Sequence, residues 1–159
     1  MKRPLLLIDV DGVISLYGPD QTRNDQIVAT LVDGIPHLLS RRAAGALRDL
    51  AREFDPVWCT GWEERADEHL PALLGLPPGW PHIRFPDRPE MAAHWKLTGI
   101  DGYAGPERPL AWIDDAHDPS CHDWARRRSA PTLLVSTDPG TGLTEEHAAR
   151  LRRWAAGLR

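Results

Sequence analysis

The sequence predicts an α/β fold, a Rossmann-like doubly wound domain on a five-stranded parallel sheet, and three observations carry that expectation. Short apolar runs alternate with helix-period segments, the pattern of βαβ units. The runs are continuously apolar, as in strands covered on both faces. Acidic residues stand at the carboxyl ends of two runs, where open α/β sheets bind their ligands.

Taken in order, the runs are Leu5 to Val10, Pro56 to Thr60, His82 to Phe85, Leu110 to Asp114 and Thr132 to Ser136. Between them, helices are expected over Arg41 to Phe54, Glu63 to Leu74, roughly Met91 to Thr98, and Ser120 to Arg128. In the first of these, Ala44, Leu47, Ala51 and Phe54 recur at three- and four-residue steps, so one face is buried. Thr144 to Leu158 forms the last helix, with Thr144 as its N-cap. Gln26 to Ser40 breaks the alternation. There Asp33-Gly34 separates Ile27 to Val32 from Ile35 to Leu39, and Asp-Gly between apolar runs signals a hairpin. Pro36 suits an edge strand. Gly75 to Pro81 and Asp138 to Gly142 read as loops.

At 159 residues, 42% hydrophobic and 26% charged, the chain suits one globular domain over 1–159. A formal charge of -4 gives no global basic field, so composition does not indicate nucleic acid. The arginines at 126–128 and at 150, 152 and 153 fall in expected helices and read as solvated faces. Leu5 to Ile8 is too short for a signal-peptide core, no run approaches membrane-spanning length, and Cys59 and Cys121 make no disulfide framework. The expectation is a cytoplasmic protein without membrane association.

The chemistry concentrates in the run ending Asp9-Val10-Asp11-Gly12. Two carboxylates two residues apart at a strand end are a costly like-charge pair without a cation, and the glycine lets the chain turn. The fourth run repeats the design with Asp114-Asp115. In a sheet of order 5-4-1-2-3, strands one and four are neighbours, so Asp9, Asp11, Asp114 and Asp115 converge. Such an oxygen-donor cluster suits Mg²⁺. Thr60 and Gly61 open the helix after the second run and present a hydroxyl and an amide to the same crevice, fit for phosphate, although Thr60-x-x-Glu63 equally fits a capping box. Lys96, the sole lysine besides Lys2, is a candidate fixed cation for the cluster. Trp58 and Trp112 belong to the core, whereas Trp62 is placed to line a substrate entrance. His117, Cys121 and His122 invite a zinc reading, but a helical surface placement fits them better.

The ordered set Asp9-Val-Asp11-Gly, Thr60, Lys96 and Asp114-Asp115 resembles the haloacid dehalogenase superfamily, from the first strand to at least Asp118. The resemblance implies a small capless phosphatase-like member with a hairpin flap after the first motif, where Gln26 to Ser40 falls. It implies Asp9 as nucleophile, Asp11 as general acid and base with a pKa raised by crowding and partial burial, and Thr60, Gly61 and Lys96 as phosphate ligands. Magnesium would be held by Asp9, the Asp11 main-chain carbonyl and a carboxylate of the fourth motif. Asp115 is the preferred direct ligand with Asp114 behind it, and Asp118 fits a spacing variant. Dehalogenating members lack an acid/base Asp at the position of Asp11, so phosphoryl transfer is expected. The absence of room for a large cap implies an open site. The implied substrates are phosphorylated molecules of any size, including polynucleotide 3′-phosphates and phosphoproteins, with oligomerisation as another way to close the site. The non-enzymatic alternative is a silent binding module that keeps the fold.

Overall fold

A computed structural model of the chain describes residues 2–21, 23–85 and 93–159. Four strands form a parallel sheet: β1 (Leu5–Ile8), β5 (Asp55–Trp58), β6 (Leu110–Asp114) and β7 (Thr132–Ser136), in the order β5-β1-β6-β7. A three-stranded antiparallel sheet, β2 (Ser15–Leu16), β3 (Ile27–Val32) and β4 (Ile35–Ser40), stands between β1 and the first helix. The helices are α1 (Arg41–Leu50), α2 (Glu64–Leu74), α3 (Leu97–Ala104), α4 (Pro119–Arg127) and α5 (Glu145–Gly157).

The strands are apolar on both faces because both faces are covered. Leu6 and Ile8 point into a core with Leu47 of α1, Leu70 of α2 and Leu151 of α5. Leu5 and Leu7 point the other way, against Ile100 of α3 and Cys121 and Trp124 of α4. Leu6, Leu7 and Ile8 are fully buried, each worth roughly 1.5–3 kcal/mol of transfer free energy. Trp58 and Trp112 are core residues, as expected.

Among the described residues the parallel sheet has four strands rather than five. His82 makes a single parallel bridge to Trp58, whose amide bonds to Pro81 O and whose carbonyl accepts from Ile83 N. Pro81 has no N–H to extend such a ladder, so the third apolar run lies beside β5 without becoming a strand. The third helix also differs from expectation. Residues 91 and 92 lie outside those described, and the helix runs from Leu97 to Ala104 across Gly99 and Gly102. Low-propensity glycines hid it. Gly99 is required there because a Cβ would come within 2.7 Å of the Phe85 ring. The first helix ends at Leu50, after which Arg52 and Glu53 bond three residues back, in tighter turns that carry the chain to Phe54.

The hairpin forms as expected, with Asp33 at φ 50° and Gly34 at φ 78°. Its second strand is not an edge, since β4 lies between β2 and β3. Pro36 is tolerated because β2 pairs only with Leu38 and Leu39, so no partner on that side needs its missing N–H. Arg128 is not solvated. Its side chain is 4% exposed, and its guanidinium donates to the carbonyls of Gly105 and Arg108 and to the Thr132 hydroxyl. Among the described residues, no helix is long and apolar enough to cross a membrane.

Candidate active site

The parallel register assembles the site. Ile8 is level with Trp58 on one side and with Ile113 on the other, so one further step along each strand sets Asp9 beside Cys59 and Asp114. Asp9 N donates to Ile113 O at 3.1 Å, and Cys59 N to Ile8 O at 2.8 Å. The crevice therefore opens at the carboxyl ends of β1, β5 and β6.

Lys96 enters it from the loop before α3. Its Nζ is 3.1 Å from Asp9 Oδ1 and 2.6 Å from Asp114 Oδ2, and it donates to Cys59 O at 2.9 Å. All four residues are buried. Burial works against the ammonium charge, but Asp9 and Asp114 hold its pKa above the ordinary lysine value. Burial likewise opposes the Asp114 carboxylate, and Lys96 together with the Ala116 amide keeps its pKa below the usual range. Asp9 fares differently. Burial, reinforced by Asp114 and only partly offset by Lys96, pushes its carboxyl up to about 8.

Asp115 completes the cluster: donor oxygens of Asp9, Asp114 and Asp115 lie within 4.8 Å of one another. Burial raises the Asp115 carboxyl, opposed by a 2.5 Å hydrogen bond from the Tyr17 hydroxyl. Gly12 makes room for it. Its φ is +80°, and a Cβ there would lie 2.4 Å from Asp115 Cγ. Once Asp9 and Asp115 ionise, a single ammonium faces three convergent carboxylates, and an all-oxygen donor set of that kind fits a hard divalent cation.

Asp11 behaves otherwise. The strand ends at Ile8 and the chain folds back over Val10, whose carbonyl accepts from the amides of Val13, Ile14 and Ser15. The Asp11 carboxylate thereby leaves the cluster and is exposed, against the expectation of partial burial. Its Oδ2 accepts from Trp62 Nε1 at 3.1 Å. Asp118 is a helix N-cap, accepting from Cys121 N and Ser120 Oγ. Thr60 is buried, and its hydroxyl accepts from Trp62 N at 3.2 Å. The capping box does not form. Glu63 sits at φ 50° and accepts instead from Phe85 N at 2.9 Å. Among the described residues, His117, Cys121 and His122 form no three-donor group, and Cys121 is buried in the core rather than on the surface.

A family model for the haloacid dehalogenase (HAD) domain in Swiss Army Knife RNA repair proteins matches residues 5–148. The chain belongs to that family. The match spans every element from β1 into α5 and so includes all the candidate site residues of this HAD domain. No individually curated protein matches it.

Sequence reasoning missed Tyr17, His37 and Ser15. Tyr17 bonds to Asp115, 98 residues further on, and Ser15 to His37, 22 residues further on, and no local pattern signals such contacts.

Proposed function

We propose that the chain is a magnesium-dependent phosphomonoester hydrolase working through an aspartyl-phosphate on Asp9. The observation that carries this reading is Lys96 seated between Asp9 and Asp114, which gathers three separate motifs around one buried carboxylate. Asp9 attacks phosphorus opposite the leaving oxygen. The bond to that oxygen breaks as Asp11 gives it a proton, so an alcohol departs and Asp11 is left as a carboxylate. Asp11 then takes a proton from water, whose oxygen attacks phosphorus. The bond to Asp9 breaks, and inorganic phosphate, the Asp9 carboxylate and reprotonated Asp11 result.

The Thr60 hydroxyl, the Gly61 amide and Lys96 hold the phosphoryl oxygens. Thr60 accepts from Trp62 N, so its own proton is free to donate. Bound magnesium would be held by Asp9, Asp115 and the Asp11 main-chain carbonyl, with Asp114 behind them on Lys96, and would supply positive charge to the phosphoryl oxygens. Turnover of an aryl phosphate with Mg²⁺ tests the reading. EDTA should abolish it, added Mg²⁺ restore it, and Asp9→Asn lower it by about 10⁴-fold or more. EDTA-insensitive turnover or an active Asp9→Asn refutes it. Retained Mg²⁺ binding with no turnover on any phosphoester favours a silent binding module.

A second reading narrows the substrate to the 3′-phosphate of a polynucleotide, and the family's place in RNA repair proteins favours it. The exposed Asp11 suits a large substrate. The arginine cluster of α4 contributes little, since the helix leads away from the crevice and Arg126 and Arg127 lie at its far end. A 3′-phosphorylated oligoribonucleotide should then give a higher kcat/KM than small sugar phosphates, and equal values refute this narrowing.

A further inference from the structure

We propose that Trp62 is a positioning residue for Asp11, fixing which carboxylate oxygen exchanges the proton, and that the hairpin holds the indole in place through His37. The proposal rests on the phosphatase reading above. Asp11 is exposed on a turning loop, and an unrestrained exposed carboxylate samples several rotamers. Trp62 Nε1 donates to its Oδ2 at 3.1 Å. An indole N–H donates and never accepts, so Oδ2 is an acceptor in both protonation states of Asp11. The carbonyl oxygen of a protonated carboxyl is a better acceptor than its hydroxyl oxygen, so the indole bond to Oδ2 favours the exchangeable proton on Oδ1.

The indole is itself held. Its ring meets the His37 ring edge-on, with centroids 4.9 Å apart. His37 Nδ1 lies 2.7 Å from Ser15 Oγ, and Ser15 O accepts from Gly12 N at 2.7 Å, directly after Asp11. The contacts thus close a circuit from Asp11 through Trp62, His37 and Ser15 back to the Asp11 loop. The hairpin tip docks on the same segment, where Asp33 pairs with Arg65 of α2. The flap therefore buttresses the proton-transfer residue, a role separate from covering the substrate.

Leaving-group dependence tests this, because an alkoxide needs protonation and a nitrophenolate hardly does. Trp62→Phe should lower kcat on an alkyl phosphomonoester by about 10-fold or more, with KM little changed and a much smaller loss on p-nitrophenyl phosphate. His37→Ala should show the same bias more weakly, and His37→Phe, which keeps the ring contact, should restore the rate. Equal losses on both substrates in Trp62→Phe overturn the proposal. A second measurement needs no turnover and no change at Trp62. In ¹⁵N-tryptophan-labelled protein one indole resonance should move on Asp11→Ala, and seven unmoved resonances overturn the proposal. A moved indole resonance in a protein whose wild type hydrolyses no phosphoester shows that the contact is real and the phosphatase reading is what failed, and the positioning role falls with it.

Discussion

Asp115 and Asp118 stand three residues apart after the same strand, yet their surroundings assign them different work. The Ser120 hydroxyl and the Cys121 amide hold the Asp118 carboxyl below its usual range and tie it to α4. Asp115 instead faces Asp9 and Asp114. Mg²⁺ should therefore raise the melting temperature by several degrees in the wild type and in Asp118→Asn, which keeps a good N-cap, but not in Asp115→Asn. Thermal scans with and without the metal check this; loss of the shift in Asp118→Asn alone would reverse the assignment. Lys96 is the opposite case, a buried cation whose removal strands two carboxylates. Lys96→Met should cost about 3 kcal/mol in denaturant unfolding without metal, besides most of the activity.

Among the elements, α5 carries a pH dependence of its own. Thr144 caps it, and the box is closed by His147, whose Nδ1 accepts from Thr144 N at 3.0 Å. Only a neutral imidazole can accept there. Burial holds the His147 pKa below its ordinary 6.5, with Arg150 adding to the effect. The contribution of the box is therefore full above pH 6.5 and is lost as pH falls through the lower folded value. His147→Gln, a normal capping-box residue, should keep the cap and flatten the fall of stability on the acid side of pH 6.5, read from urea midpoints. An unchanged slope would mean that another group sets the acid limb.

Across the whole molecule the two ends of the sheet do different work. At the amino ends, Asp55 accepts from Arg3 Nε at 3.0 Å and from Arg108 Nη2 at 2.7 Å, joining the starts of β1, β5 and β6. Asp55→Ala should lower stability by about 1 kcal/mol and leave kcat/KM unchanged, because nothing it touches reaches the crevice. A large loss of activity at full stability would show that the ends are coupled. At the carboxyl ends, the loop over 138–142 supports the Asp11 turn. Leu143 N donates to Val13 O at 3.0 Å, and at Gly142 (φ +72°) a Cβ would lie 2.4 Å from that oxygen.

The sequence by itself determined the α/β class, the hairpin and the Thr144 cap, and it marked Asp9, Asp11, Thr60, Lys96, Asp114 and Asp115 as candidates, because apolar period, turn chemistry and residue type are local properties. It did not determine that the third apolar run stops short of a strand, or where α3 starts, because proline and glycine obscure the pattern there. Nor could it tell the Asp115 environment from that of Asp118, or show that the Arg128 side chain is buried. For the Asp9-Val10-Asp11-Gly12 run the division is sharpest. Residue type marks both carboxylates for chemistry, but the sheet register buries Asp9 against Lys96 and Asp114, while the turn over Val10 sends Asp11 out to Trp62. A carboxylate's role follows from what opposes it in space, and here every opposing group comes from a distant part of the chain.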